Sequence, residues 1–251
     1  MPTQLPPGGA IAVSRPFTPV PREHKPLTVR GVPPLLDAIM EKPSSESPHR
    51  IMSYETENGQ QFNCAYFDDE AAFLAYDRWF EREAVSPAGA QHKIWASRFN
   101  DAADVPASGE WMWGVGKRVI ADSRSGEYQL GDGHRYSRMM FRDEAARKDA
   151  EQAAVDPQFE ARIFKEMAEE GVEYYGRLVM AAPGAAGGWF TKSRYGSLED
   201  VHKGTWLIKE ILFKEEMARW FSSYETIMGS IVSTHLVTPK WPDQGRMARS
   251  I

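Results

Sequence analysis

Apolar and polar positions alternate along "HRIMSYETE" and "QQFNCAYF", the period of a half-buried strand. Between them stands Asn58-Gly59, whose readiness to adopt positive φ makes it a hairpin turn signal, so residues 49 to 67 predict two antiparallel strands. The pattern then changes. Over "DDEAAFLAYDRWFEREA" the apolar residues Ala72, Phe73, Tyr76, Trp79 and Phe80 recur at helical spacing, with acids in the first turn where they complement the helix dipole. Further strands are predicted at "HKIWASRF", "EWMWGVGKRVIA", "GDGHRYSRMMF", "EYYGRLVMA", "LIKEIL" and "SIVSTHLV". A short helix is predicted at "PPLLDAIMEK".

One junction recurs. Phe67-Asp68-Asp69-Glu70, Phe141-Arg142-Asp143-Glu144 and Phe213-Lys214-Glu215-Glu216 each follow an apolar run, at separations of 74 and 72 residues. The first and third are followed by Arg-Trp-Phe, at Arg78-Trp79-Phe80 and Arg219-Trp220-Phe221. Each copy reads as a strand that ends in Phe and passes into an acid-capped helix. Repeated β-α-β units joined by extra strands build an antiparallel sheet with helices on one face. The expected fold class is α+β, with two fused ferredoxin-like halves at about 49–125 and 126–238.

The flanks differ in composition. Nine of the 17 prolines lie in residues 1 to 34, which removes amide donors and fixes φ, so residues 1–48 are expected to be an arm and linker. Its Phe17, Val20, Leu27 and Val29 suit packing across a neighbouring subunit, and a homo-oligomer held through residues 1–34 is the expectation. Residues 239–251 form a basic tail with Lys240, Arg246 and Arg249.

Composition narrows the function classes. With 251 residues, 42% of them hydrophobic, the chain can bury a core without metals or disulfides. A net charge of −5 and the lack of a concentrated basic surface argue against nucleic acid as a partner. Cys64, the single cysteine, sits in the apolar run "FNCAYF" and reads as a core thiol in a reducing compartment. The first residues lack a signal-peptide pattern, and no stretch reaches the roughly 18 apolar residues of a membrane span. A soluble, cytoplasmic protein is expected.

The β-α-β pattern over residues 49 to 238, with its repeated Phe-acid junctions and aromatic helices, resembles the dimeric α/β-barrel superfamily of ferredoxin-like proteins. That superfamily includes EthD-like proteins, polyketide cyclases, chlorite-dismutase-type haem proteins and haem-containing aldoxime dehydratases. The resemblance implies two sheets around a cavity and a small-molecule enzyme, either free of cofactor or carrying haem. The histidine expected after the aromatic helix of an EthD-like protein is replaced here by Glu81 and Glu83 in "YDRWFEREA".

Candidate chemistry concentrates on the strand after "GDG". There His134, Tyr136, Arg138 and Met140 share one face, and Arg135, Ser137, Met139 and Phe141 the other. A histidine beside a tyrosine and an arginine supplies a base or acid, its hydrogen-bonding partner and an anion anchor. Residues expected to line a substrate pocket are Trp113, Trp189, Phe190, Trp206 and His202, the last in a polar loop "SLEDVHKGTW" before a strand, with "AAPGAAGGWFTKSRYG" as a mobile cover. For the haem alternative the expected axial ligand is His235 or His202. No metal-ligand spacing or phosphate loop is present, since "GVGKR" lacks the spacing; Gly114 and Gly116 read instead as relief of crowding in a strand.

Three functions remain. The first is an enzyme of the lyase, cyclase or isomerase kind acting on an apolar or aromatic molecule through His134. The second is a haem-dependent dehydratase or oxidoreductase of the same fold. The third is a non-catalytic assembly protein that uses its arm.

Overall fold

The turn at Asn58-Gly59 forms as the sequence predicts, with Gly59 at φ 77°. A computed structural model describes residues 9–19, 48–84, 112–183 and 187–236. The turn joins β2 (Arg50–Glu55) to β3 (Gln61–Phe67), and cross-strand partners Tyr54 and Phe62 stack with centroids 4.8 Å apart. Such a pair adds about 0.5–1.5 kcal/mol beyond its buried area.

On the other side of β3 lies β1 (Ala10–Val13), antiparallel to it, so the order in this unit is β1-β3-β2. This corrects the expectation that residues 1–48 hold no strand. "GAIAV", residues 9 to 13, is a proline-free apolar island between Pro7 and Pro16, and its amides are available for a ladder. The four residues of β1 are buried, as is Cys64. Helix α1 (Glu70–Ala84) begins at Asp69, whose Oδ1 accepts from Ala72 N at 2.7 Å. Phe67 meets Phe73 and Tyr76 of this helix at centroid distances of 5.4 and 5.2 Å.

The residues separate into two compact units, with a boundary between Met112 and Trp113. The larger unit, Trp113–Val232, contains β4 (Met112–Asp122) from its second residue, β5 (Gly133–Phe141), α2 (Glu144–Ala154), α3 (Pro157–Glu169), β6 (Tyr174–Ala182), β7 (Gly188–Tyr195), α4 (Leu198–Trp206), a π-helical turn (Leu207–Leu212), α5 (Lys214–Trp220) and β8 (Phe221–Leu236) as far as Val232. Within this unit the strands run β8-β5-β7-β6-β4, every neighbour antiparallel. From β5 to β8 the chain is β-α-β-β-α-β with its first and third strands central, the ferredoxin-like arrangement. The fold class is α+β, as expected from the sequence.

Helices α2 to α5 lie on one face of this sheet. Their apolar residues form two clusters with the sheet side chains that point toward them. One joins Ile163, Met167, Val201, Leu207, Ile208 and Leu212 to Tyr174 and Tyr195; the other joins Ala150, Ala154 and Trp220 to Met139, Val179 and Trp189. Close approach depends on two glycines. A Cβ on Gly133 would fall 2.1 Å from the Ser197 carbonyl oxygen, and one on Gly204 would fall 2.5 Å from Tyr195 Cε1, so both let α4 settle directly on β5 and β7.

Three local expectations change here. "LIKEIL" is a π-helical turn and not a strand, so the third Phe-acid junction follows a helix. Leu207, Ile208 and Leu212 are buried at spacings of one and four residues, which a strand could not place on one side. "SLEDVHKGTW" is mostly helix α4, capped by Ser197, whose Oγ accepts from Asp200 N. Phe221 starts β8 and does not end α5. The predicted helix at "PPLLDAIMEK", the strand at "HKIWASRF" and the tail 239–251 lie outside the described residues.

Candidate functional site

Strand β5 is central, and nearly every one of its residues is buried. Alternation therefore sends consecutive side chains into two different enclosed environments. Toward the helices point Arg135, Ser137, Met139 and Phe141. Away from them point His134, Tyr136 and Arg138, as predicted.

On the face away from the helices, β7 lays its own alternation beside that of β5. His134 is opposite Arg194, Tyr136 opposite Lys192, and Arg138 opposite Phe190. His134 and Tyr136 are fully buried, and Lys192 is 1% exposed. The imidazole Nδ1 lies 3.5 Å from the Tyr136 hydroxyl, and its ring is 5.4 Å from that of Tyr128. Lys192 Nζ donates to Tyr128 Oη at 2.7 Å and lies 5.9 Å from the Tyr136 ring centroid. Phe190 closes this side of the cluster 6.2 Å from Tyr136. Gly114 leaves room for Phe190, because a Cβ there would lie 2.4 Å from Phe190 Cβ; this is the relief of crowding expected of that glycine.

Charge and burial act on His134 together. Its pKa is lowered well below 6.5, first by loss of water and then by the cations Lys192 and Arg194. The ring is therefore a neutral imidazole at physiological pH. Arg194 itself is neutralised by Asp132, with Nε and Nη2 each 2.8 Å from Oδ2. The same guanidinium donates to the carbonyls of Ser125, at 2.8 Å, and Glu127. One arginine thus pins both ends of the 123–132 loop, which carries Tyr128 over the histidine.

Several other candidates are placed elsewhere. Arg138 is 39% exposed and paired with Glu225 at 3.0 Å, so its charge is committed away from the imidazole. Trp189 and Phe190 belong to β7, laddered between β5 and β6, and do not form a mobile cover. They also face opposite ways: Trp189 packs with Phe141, Trp220 and Phe221 under the helices, and only Phe190 adjoins Tyr136. Trp206 is 55% exposed at the end of α4, and His202 is exposed on the same helix. Trp113 is half-buried on β4. The side chain of His235 lies outside the described residues.

Sequence reading missed Lys192, Tyr128, Arg194 and Asp132. The signal available was "WFTKSRY", a strand whose alternate residues Phe190, Lys192 and Arg194 all fall on one face. A lysine and an arginine on the inward face of a central strand imply partners in the interior.

No family model and no curated protein matches the sequence. Solved structures do. A variant of chlorite dismutase from Candidatus Nitrospira defluvii, in complex with cyanide, is 11% identical with a TM-score of 0.52, covering 89% of this chain and 90% of that one. An anthrone oxidase-like protein is 8% identical with a TM-score of 0.49, covering 91% of this chain and 92% of that one. The fold shared with the chlorite dismutase variant is α+β with a ferredoxin-like arrangement. At 11% identity no residue role is carried over, and the residues of the His134 cluster stand on their own geometry.

Neither His134 nor His202 fits an axial haem ligand. His202 faces solvent, and the ring of His134 lies between Tyr128 and Tyr136, at 5.4 and 6.1 Å, where a porphyrin would need an open slab. Among the described residues no helix is long and apolar enough to cross a membrane, and no group of three or more His, Cys, Asp or Glu could hold a metal ion.

Proposed function

We propose that the protein is a small-molecule enzyme that binds an apolar or aromatic substrate and moves a proton with His134, in a reaction of the lyase, cyclase or isomerase type. The observation that carries this reading is a fully buried, neutral imidazole set beside the Tyr136 hydroxyl and a buried lysine. A neutral imidazole can accept a proton, and a positioned ammonium stabilises the anion that the same step leaves on the substrate. His134 is the base, and Tyr136 orients it or returns the proton. Lys192 takes the anion-stabilising role that the sequence suggested for Arg138. Phe190 supplies an apolar wall.

The low proton affinity of His134 suits this division of labour. Alone, the buried imidazole resists charging, but a substrate anion beside it would offset the two cations that depress its pKa. Access to the ring passes Tyr128, which is half-buried on a loop whose neighbours Glu127, Gln129 and Leu130 are exposed. Displacing that tyrosine opens the face for substrate.

The test is C–H exchange. Small ketones and aromatic compounds with acidic C–H bonds are incubated with the protein in deuterated water and followed by NMR. Exchange that falls about 100- to 10,000-fold in His134→Gln supports the reading. Exchange unchanged in that variant, or absent with every compound, overturns it. A Soret band on adding haemin, lost in a His235 variant, would instead favour the haem alternative.

A further inference from the structure

On the helix side of β5, directly after His134, Arg135 is 4% exposed. Among the described residues it has no carboxylate partner. Its Nη1 donates to Thr205 Oγ1 at 3.4 Å and its Nη2 to Ser193 Oγ at 3.2 Å, both long, while the buried Nε has no acceptor. A guanidinium taken out of water needs a compensating negative charge and full hydrogen bonding. Hydroxyl oxygens at the limit of hydrogen-bonding distance provide neither in full.

A second donor lies on the same face of the sheet. Tyr195 is fully buried, and its hydroxyl has Ser193 beside it as a loose neighbour instead of a well-formed hydrogen-bond partner. The ladder places it diagonally from Arg135, since Arg135 pairs with Ser193 and Gly133 with Tyr195. Above both lies α4 with Thr205, and then the π-helical turn, whose Leu207, Ile208 and Leu212 keep the region apolar. π-Turns recur at functional sites because they widen a helix and re-aim its side chains.

We infer that the space around Arg135, between β5, β7 and α4, binds a small planar oxyanion of the carboxylate, bicarbonate or nitrate type. The Nε–H and the adjacent Nη–H of a guanidinium form a fork that matches two oxygens of such an anion. The Tyr195 hydroxyl is placed to donate to the same ion, and Ser193 and Thr205 complete a ring of hydroxyls. This site lies on the opposite face of β5 from His134 and is independent of its chemistry.

Tyr195, Tyr224 and Tyr174 all favour the charged form of Arg135, but burial pushes the pKa of Tyr195 and Tyr174 up, so Tyr224 is the one that competes for the role of counter-charge. The Tyr224 hydroxyl lies 3.2 Å from Ser137 Oγ, and Lys209 Nζ is 4.0 Å from its ring centroid. Although burial raises its pKa, Arg135 and these neighbours bring it below 10.0. A Tyr224 ionised at neutral pH would neutralise Arg135 from within the protein.

The experiment is thermal unfolding of the full chain at constant pH and ionic strength, with formate or nitrate replacing bulky gluconate. A saturable rise of the midpoint, roughly 5 °C at a hundredfold excess over the dissociation constant, is expected for the wild type. Arg135→Gln should abolish it. Because that variant risks misfolding, Tyr195→Phe is measured as well: it removes one loosely held hydroxyl, leaves the far-ultraviolet spectrum intact, and should raise the half-saturating concentration several-fold. No saturable rise, or a rise identical in Tyr195→Phe and Arg135→Gln, overturns the site. So does a tyrosinate absorbance at pH 7 that disappears in Tyr224→Phe.

Discussion

Lys192 and Tyr128 are joined twice over: the ammonium donates to the phenol oxygen at 2.7 Å and lies 4.1 Å from the centre of the same ring. A central strand and a surface loop thereby meet above His134, and the loop supplies an acceptor and a π face to a cation held out of water. Tyr128→Phe keeps the ring and removes the oxygen. The expected loss is about 1–3 kcal/mol, the usual cost of taking a partner from a buried polar group, read as a shift of the urea midpoint without a change in slope. A variant as stable as the wild type would show that the oxygen contributes nothing to holding Lys192.

The loop itself depends on Asp132 and Arg194, which are 6% and 5% exposed. Removing one charge of a buried pair strands the other, so Asp132→Asn is expected to cost about 3–5 kcal/mol. The freed loop should also become the first site of limited proteolysis, with cleavage mapping between Ser123 and Asp132.

Stability should depend on pH through His134. Its folded pKa is depressed below 6.5, so below that pH the unfolded chain binds a proton that the folded chain refuses. The stabilising contribution is complete above 6.5 and is lost as pH falls toward the depressed value, by up to about 1.36 kcal/mol per pH unit. His134→Gln removes that part of the acid limb. Equal slopes for the two proteins between pH 6.5 and 5 would mean that the imidazole is charged in the folded state.

Two tryptophans separate core from surface. Trp189 is 2% exposed and packs on Phe141, Trp220 and Phe221, so Trp189→Ala should cost about 3–5 kcal/mol. Trp206 is 55% exposed, and Trp206→Ala should change stability by no more than about 0.5 kcal/mol. Calorimetry of the two variants side by side checks both values.

What the sequence made legible was local. The β2–β3 hairpin follows from alternation on both sides of Asn58-Gly59, and the division of β5 into two faces follows from strand geometry once residues 134 to 141 are read as extended. Helix α3 had a readable start in Asp156-Pro157, an N-cap followed by proline at the first helical position, which the sequence reading did not use. "LIKEIL" misled because isoleucine and leucine serve strand and helix alike, and only packing on α3 and on Tyr174 and Tyr195 of the sheet decides. The roles of Lys192 and Tyr128 were beyond local pattern, since they rest on a contact between residues 64 positions apart. Arg138 and Trp206 looked equivalent to their buried counterparts because alternation names a face without saying what covers it.

Residues 134 and 135 are neighbours in the chain, yet one carries a neutral ring into the Lys192 cluster and the other a cation under α4. A single residue inserted or deleted within β5 would therefore exchange imidazole and guanidinium between the two faces, placing a charge beside Lys192 and a titratable ring under α4. A change in length is therefore expected to be tolerated only in the turns around this strand, and the count of residues from Gly133 to Met140 fixes the two faces as firmly as their identity.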